Sequence, residues 1–347
     1  MTARVAVAWN PSGSEVVSLE NDALRVSLLP EAGGHIFELV DRAVERDLLW
    51  HNPRLSPRPA PYGAYFDDWW SGGWDEIFPS GDRGTLHDEL LPYMGELWCV
   101  PWTTESWSDG DEAVILGSAF GTVAPARFER RLSLRGDEPV LRARYRIENL
   151  DVRPLPFTWG IHPAFAVTPN HRIDLPARDM LVGVSSDPSM GTVGQAYRWP
   201  HLPDATLASG ARRAGSGARA GSGARDMGRV RPREDAVFAG HWATDLQAGW
   251  VALTDSAAQR GIAIVFDPGV FKHAWLWQVY GGWRGHQHVA LEPWTSHPQQ
   301  LEDAVAAGRA LELGVGGVLE TEVAFVLYQG LPAVTAIEQR GGTILVR

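Results

Sequence analysis

The sequence contains almost none of the residues that would build a disulfide framework or a cysteine-rich metal site. Cys99 is the only cysteine among 347 residues, so no internal disulfide can form and a zinc site with several cysteine ligands is excluded. A lone cysteine favours a reducing compartment. The first ten residues do not follow the pattern of a secretory leader. No stretch approaches the ~18 uninterrupted apolar residues of a membrane span. We therefore expect a cytoplasmic protein.

Basic charge is also scarce. Lysine and arginine together number 31 against 42 aspartates and glutamates, which gives a formal net charge of −11 at pH 7. An acidic protein is poorly suited to a phosphate backbone or an anionic membrane surface. The sequence therefore predicts neither nucleic acid nor membrane as a partner. It leaves the oligomeric state open.

Long helical patterns are rare, whereas short segments of alternating apolar and polar residues recur along the chain. The 37 glycines and 24 prolines supply the turns between them. The sequence favours one helix, residues 299–307, which has Pro298 before it and Gly308 at its end. Strands are predicted at 23–29, 35–40, 113–120, 126–134, 141–148, 155–159, 250–254, 261–266, 274–279, 288–291 and 320–327. This pattern indicates an all-β protein, a large antiparallel sandwich with few short helices.

One segment differs from the rest in composition. Residues 209–225 repeat Gly-Ser-Gly-Ala-Arg in near-tandem copies and contain no apolar side chain larger than alanine. Such a segment cannot bury enough surface to offset the entropy of ordering it. We expect a mobile low-complexity loop at about residues 207–230, inserted in a single domain that spans residues 1–347.

Histidines and a glutamate cluster near residue 290. In a strand, His286, His288 and Glu292 would project from one face, with Ala290 between them. This column is a candidate metal site, and its spacing is similar to that of ligands in cupin-like barrels. A fourth ligand histidine is missing downstream. Metal binding by this column therefore remains an alternative, and the main hypothesis assigns no metal ligand.

A second histidine stands where an apolar strand meets a proline. Because Pro163 restricts the residue before it to an extended conformation, we expect His162 to lie at the end of a strand. The sequence also contains 16 tryptophans, whose flat faces stack well on sugar rings or fill a core.

Six motifs in order give the sequence a family resemblance over about residues 20–330. They are Ala32-Gly-Gly-His-Ile-Phe-Glu-Leu-Val-Asp41, Gly72-Gly-Trp-Asp-Glu-Ile-Phe-Pro79, Met94-Gly-Glu-Leu-Trp98, Gly160-Ile-His-Pro-Ala-Phe165, Ala274-Trp-Leu-Trp-Gln278 and Ala290-Leu-Glu-Pro-Trp294. Their order resembles that of the aldose 1-epimerase (galactose mutarotase-like) superfamily. This resemblance implies a β supersandwich that acts on a small-molecule sugar or sugar derivative.

The resemblance also implies the site. Glu292 would be the base and His162 the acid of an anomer-interconverting enzyme that needs no cofactor, since proton transfers suffice. Burial of Glu292 among Trp275, Trp277 and Trp294 would raise its pKa toward the working pH. The segments that match the binding regions contribute further predicted substrate-binding residues: Trp74, Asp75, Glu76, Arg83, Glu96, Gln278 and Trp294.

One position departs from the pattern. Met94 stands where many relatives have a sugar-binding histidine, and a thioether is a poor hydrogen-bonding partner for a hydroxyl. Either His87 or Glu96 substitutes, or the substrate differs, or the reaction is lost. A non-catalytic carbohydrate-binding protein on the same fold is therefore a second hypothesis. A metal-dependent isomerase or lyase that uses the histidine column is the third.

Overall fold

Antiparallel strand pairing organises most of the chain. The computed structural model describes residues 2–10, 13–203 and 223–347. The strands of the first half are β1 (Arg4–Trp9), β2 (Glu15–Glu20), β3 (Leu24–Leu29), β4 (His35–Asp41), β5 (Arg46–Asp47), β6 (Trp74–Ile77), β7 (Gly84–Leu86), β8 (Glu89–Leu91), β9 (Thr103–Asp109), β10 (Glu112–Phe120), β11 (Ala126–Arg135), β12 (Val140–Asn149), β13 (Leu155–Phe157) and β14 (Gly160–Ala166).

The second half continues in the same way. Its strands are β15 (His171–Asp174), β16 (Asp179–Ser185), β17 (Ala196–Arg198), β18 (His201–Pro203), β19 (Ala224–Asp226), β20 (Val237–Ala243), β21 (Trp250–Asp255), β22 (Arg260–Phe266), β23 (His273–Tyr280), β24 (Gln287–Trp294), β25 (Leu311–Leu313), β26 (Val318–Gln329), β27 (Ile337–Arg340) and β28 (Thr343–Val346). Each strand predicted from the alternation of apolar and polar residues is present, and no end is shifted by more than three residues.

Helices are few and short in the described residues. The α-helices are α1 (Phe66–Trp69) and α2 (Leu301–Ala306), and 3₁₀ turns occur at Pro30–Ala32, Leu97–Cys99, Pro188–Met190 and Arg233–Asp235. Helix α2 confirms the predicted helix at residues 299–307, shortened at both ends. Within the described part of the chain, no helix has the length and apolar character needed to cross a bilayer.

Most of the described strands belong to two large sheets. Fourteen of the described strands form one sheet in the order β1-β2-β3-β4-β6-β14-β24-β23-β20-β16-β17-β18-β19, with β5 on β4. Eight form the other, in the order β15-β21-β22-β26-β12-β11-β10-β9. Their facing side chains share one apolar core, which includes Leu291 of the first sheet and Phe325 of the second. The predicted all-β antiparallel sandwich with few short helices is therefore confirmed.

The large sheet has apolar side chains on both faces. Its second face carries a separate cluster, in which Trp242 and Trp294 pack with Trp50, Phe66 and Trp70 from the loop and helix between β5 and β6. A sheet that packs on both faces can present alternate residues of one strand to two different environments. The candidate site lies on this second face.

Two local predictions concern the position of His162 and the loop at about residues 207–230. The structure corrects the first and describes only a small part of the second. His162 is the third residue of β14, not its end, because the pairing of β14 with β24 is interrupted around Pro163 and then resumes at Ala164. Residues 207–222 of the predicted mobile loop lie outside the described residues. Of the remainder, Ala224–Asp226 forms β19 and pairs with β18.

A buried ion pair ties the two sheets together. The Glu76 carboxylate of β6 accepts hydrogen bonds from Arg130 Nη1 at 3.1 Å, Tyr145 Oη at 2.9 Å and Trp159 Nε1 at 3.1 Å. The side chains of Glu76 and Arg130 are 0% and 2% exposed. Burial raises the pKa of Glu76, and the Arg130 charge and these hydrogen bonds oppose that rise. The carboxylate is thus fully occupied by partners in the core.

Removal of one partner from this pair should destabilise the fold. Glu76→Gln leaves the Arg130 guanidinium buried without its anion, so we expect the free energy of unfolding to fall by about 3–5 kcal/mol. Glu322→Gln, which breaks the exposed pair with Arg144, is the matched control and should cost less than about 1 kcal/mol. Urea denaturation followed by tryptophan fluorescence measures both, and equal losses would contradict the structural role of Glu76.

Candidate active site

A row of side chains runs across neighbouring strands on the second face of the large sheet. His162 of β14 lies opposite Asp75 of β6. The register of β14 and β24 on either side of the interruption aligns His162 with Glu292. Glu292 in turn lies opposite Trp275 of β23. Directly opposed residues have Cβ atoms about 4.5–5.5 Å apart, so the pairing of these strands brings the two predicted catalytic residues together.

His162 and Glu292 form a close and buried pair. His162 Nε2 lies 3.5 Å from Glu292 Oε1, and the two side chains are 6% and 2% exposed. Trp294 Nε1 donates a hydrogen bond of 3.0 Å to Glu292 Oε2. Within the described residues, Glu292 Oε1 and His162 Nδ1 have no hydrogen-bond partner. Buried polar atoms are rarely left unpaired, so these two are candidates for contact with a ligand.

Burial shifts the pKa values of the pair in opposite directions. Loss of solvent raises the pKa of Glu292 well above its usual range, and the Trp294 hydrogen bond opposes this only in part. Loss of solvent lowers the pKa of His162 to about 4, and the nearby Asp75 charge opposes this. This direction agrees with the rise that the sequence predicts for Glu292. Between the two pKa values the pair therefore holds one proton.

Aromatic rings form most of the wall of a cavity of about 350 Å³ into which His162 and Glu292 project. Its aromatic lining consists of Phe66, Trp70, Tyr93, Phe238, Trp275, Trp277, Trp283 and Trp294. The other lining residues are Asp67, Asp82, Met94, Val184 and Gln299. A concave, mostly apolar site with a few convergent polar groups is typical of small-molecule binding.

Glycines let two of these indoles lie against the strands. A Cβ at Gly240 would stand 1.9 Å from Trp275 Cζ2, and one at Gly160 would stand 2.3 Å from Trp294 Cε2. Both distances are far inside van der Waals contact. The absence of a side chain at these two positions is therefore part of how the sequence builds the cavity wall.

A hydrogen-bonded chain supports the end of the row at Asp75. His35 Nδ1 lies 2.8 Å from Asp75 Oδ1, and Ser71 Oγ lies 3.3 Å from His35 Nε2. All three residues are buried and border a second, much smaller cavity behind Phe66 and Trp70. This chain fixes the Asp75 carboxylate beside His162.

The predicted substrate-binding residues divide between the two faces of the large sheet. Asp75 and Trp294 lie on the face of the candidate site, and Trp294 lines the cavity. Trp74 and Glu76 point into the core between the sheets, where the Trp74 ring packs on Phe325 at 4.3 Å. Gln278 is also buried, and its amide donates to the Met227 carbonyl at 3.0 Å.

Two further predicted residues lie outside the cavity lining. Glu96 is 0% exposed and accepts hydrogen bonds from Tyr62 Oη at 2.6 Å and from the backbone amides of residues 122–124, so its carboxylate anchors a loop. Arg83 is exposed, and its guanidinium lies 5.7 Å from the ring centre of Tyr65.

The two histidines of the predicted column take different roles in packing. His288 is buried between Trp50 and Trp70, with ring centres at 4.5 and 5.1 Å. His286 precedes β24, and its Nε2 lies 2.6 Å from Arg54 Nη2. No group of three or more histidine, cysteine, aspartate or glutamate side chains in the described part of the chain is arranged to hold a metal ion. His286, His288 and Glu292 therefore do not converge on one point.

Several lining residues were not among the predicted site residues. Phe66, Trp70, Tyr93 and Trp283 reach the cavity from the loops and short helix that cover the large sheet. One of them, Trp70, belongs to a group of tryptophans close together in the sequence, at positions 69, 70 and 74. This grouping did not reveal which indoles would face the site, because loop residues lack the alternation that fixes sidedness in a strand.

Comparison with solved structures assigns the fold. The Slr1438 protein from Synechocystis sp. PCC 6803 is 18% identical, with a TM-score of 0.66 over 93% of this chain and 99% of that one. A galactose mutarotase-like protein from Clostridium acetobutylicum is 14% identical, with a TM-score of 0.65 over 94% and 99%.

A galactose mutarotase related enzyme from Lactobacillus acidophilus is 14% identical, with a TM-score of 0.55 over 92% and 99%. No protein-family model matches the sequence. The predicted galactose mutarotase-like fold is confirmed, and identities this low carry the argument no further than the fold.

The tight fit of Trp275 predicts a sensitive glycine. Gly240→Ala forces the indole or the strand to move, so we expect a loss of about 1–3 kcal/mol in the free energy of unfolding and a changed cavity wall. A Cβ at Gly314 would meet nothing within 4 Å, so Gly314→Ala should be close to neutral. Thermal and urea unfolding of both variants measure the difference. An unchanged Gly240→Ala protein would contradict the packing described for Trp275.

Proposed function

We propose that this protein is a cofactor-independent sugar epimerase that interconverts the anomers of a free sugar. The observation that carries the proposal is the buried contact of 3.5 Å between His162 and Glu292, in a cavity walled by aromatic rings. The mutarotase-like fold supports it as an analogy, because a fold alone does not determine an activity.

Anomer interconversion requires only proton transfers at two oxygens. A base removes the proton of the C1 hydroxyl while an acid protonates the ring oxygen, and the C1 to ring-oxygen bond breaks to give the open aldehyde. After rotation about the C1–C2 bond, ring closure on the other face of the carbonyl reverses both transfers. The pair of groups ends with the same number of protons with which it began, so it is ready for the next turnover.

A pair that holds one proton is suited to this reaction. Because burial disfavours charge, the resting form has a neutral His162 and a protonated Glu292. The family resemblance implies the other arrangement, with Glu292 as base and His162 as acid. The two arrangements have equal proton counts and differ by one transfer across the 3.5 Å contact. Each provides one acid and one base, which is what the two directions of the reaction require.

The flat aromatic walls of the cavity suit the apolar faces of a sugar ring. Indole rings such as Trp275 and Trp294 offer flat apolar surfaces to the C–H faces of a pyranose. Met94 lines the same cavity with a thioether, while Glu96 faces a loop and His87 Nε2 lies 3.5 Å from Asp151 Oδ2. Neither residue is in position to replace the missing histidine. Met94 is then explained either by a substrate that differs from those of the histidine-bearing relatives or by loss of the reaction.

Met94 also favours a second candidate function, which is sugar binding without turnover. The two candidates differ in one result. The epimerase accelerates exchange between anomeric signals in NMR, whereas the binding protein only broadens or shifts sugar signals.

Loss of either member of the pair should abolish most of the activity. Glu292→Gln and His162→Asn each remove one proton-transfer group, so we expect kcat to fall by roughly 10²- to 10⁴-fold with a folded protein. The control is Glu312→Gln, which changes an exposed carboxylate on β25 and should leave kcat unchanged. Saturation-transfer NMR at anomeric equilibrium measures the rates, and circular dichroism checks the fold. Full activity in Glu292→Gln would reject this assignment.

The pH profile should reflect the shifted pKa values. Below about pH 4, His162 becomes protonated while Glu292 keeps its proton, so the pair loses its base. At high pH, above the raised pKa of Glu292, the pair loses its only proton and therefore its acid. We expect kcat/KM to be bell-shaped, with its acidic limb near pH 4. An acidic limb near 6.5, the ordinary pKa of histidine, would mean that the burial of His162 is not what sets its protonation.

A further inference from the structure

The charged groups that line the aromatic cavity have one sign. Asp67 and Asp82 contribute carboxylates, whereas burial keeps Glu292 protonated and His162 neutral. No lysine or arginine is among the lining residues in the described part of the chain. A cavity with low-dielectric walls strengthens the effect of such an imbalance on a charged ligand.

Two arginines that neighbour lining residues already have partners. Arg284 Nη2 donates to Asp68 Oδ1 at 2.8 Å, and its Nη1 donates to the Asp67 carbonyl. The Arg83 guanidinium faces the ring of Tyr65. A phosphate or carboxylate on the substrate would therefore meet the carboxylates of Asp67 and Asp82 and, within the described residues, no arginine or lysine in the cavity lining.

Tyr93 lines the cavity together with these acidic residues. Burial raises the pKa of Tyr93, and the neighbouring Asp67, Tyr65 and Asp82 raise it further. The phenol therefore keeps its proton and remains a hydrogen-bond donor in the cavity. Asp67 and Asp82 therefore supply the negative charge of the cavity wall, while Glu292 keeps its proton.

Aromatic rings and carboxylates together are the surroundings that proteins use to bind cations. An ammonium group is attracted to the face of an indole and to a carboxylate, and both attractions grow as water is excluded. In addition to this wall, Glu292 Oε1 is an unpartnered acceptor on a side chain that is 2% exposed and borders the cavity. That atom offers a ligand a polar contact in the interior of the cavity.

We propose that the substrate is a cationic sugar that carries a protonated amino group, and that phosphorylated and uronic sugars are excluded. This inference rests on the proposed function for the identity of the ring and deepens it by naming the substituent. It also gives a reason for Met94, because a pocket that recognises an ammonium group depends less on a hydrogen bond to a hydroxyl.

The test compares four sugars of one stereochemistry: glucosamine, glucose, glucose 6-phosphate and glucuronate. Isothermal titration at pH 6.5 and low salt gives the affinities, and NMR exchange gives the rates. A cation held against an indole should bind roughly tenfold more tightly than the neutral sugar. We expect glucosamine first, glucose second and the two anions last, and the same comparison in the galactose series guards against a mismatch of stereochemistry.

A second experiment removes the negative charges that line the cavity. The double variant Asp67→Asn with Asp82→Asn should lose most of the preference for the amino sugar. Its matched control, Asp88→Asn with Asp109→Asn, removes two exposed charges outside the cavity lining and should keep the preference. If the Asp67 and Asp82 variant fails to fold, the salt dependence of glucosamine binding to the unmodified protein replaces it. Tenfold or greater weakening between 0.02 and 0.5 M salt is expected there.

The outcomes separate this inference from the proposed function. Equal affinity for glucosamine and glucose, tighter binding of an anionic sugar, or no binding by any amino sugar would overturn it. Preferential binding of the amino sugar without anomeric exchange would support it and reject the epimerase. Anomeric exchange of neutral sugars without a preference for the amino sugar would support the epimerase and reject the cationic substrate.

Discussion

The burial of the Glu292 carboxyl without a cationic partner is the constraint on which the account of the site depends. A carboxylate placed out of water needs a counter-ion or several donors, or else it keeps its proton. Trp294 supplies one donor, and the remaining oxygen faces His162. The tryptophan walls that exclude water thereby also determine where the proton is held.

The large sheet contains a second buried carboxyl group that shows the contrast. Glu76 lies on the opposite face and is surrounded by the Arg130 guanidinium, a phenol and an indole, so its demand for hydrogen bonds is met in the resting protein. Glu292 has an unpartnered oxygen and a cavity before it. On one face of the sheet a carboxyl group joins the two sheets. On the other face a carboxyl group is available for proton transfer.

Sequence patterns predicted more of the fold than of the site. Alternation in segments such as 126–134 and 320–327 gave strands close to those observed, because half-buried strands record their two faces in the sequence. The close pairing of His162 with Glu292 followed from motif order, since partners 130 residues apart leave no local signal. The main error was in predicting which face of the large sheet each side chain lies on. Trp74 and Glu76 face the core, while Asp75 faces the site. All four residues of β6 are buried, with 0–4% exposure, and their sequence does not alternate between apolar and polar residues. It therefore could not show which side chains face the site.

The direct test of the central claim is a ¹³C NMR titration of the Glu292 side-chain carboxyl together with the His162 ring, assigned by comparison with Glu292→Gln and His162→Asn. The account predicts a protonated carboxyl and a neutral imidazole at pH 6, with the ring titrating near pH 4. A Glu292 signal that titrates near 4.5 beside an imidazole that titrates near 6.5 would show two ordinary solvated groups and contradict it.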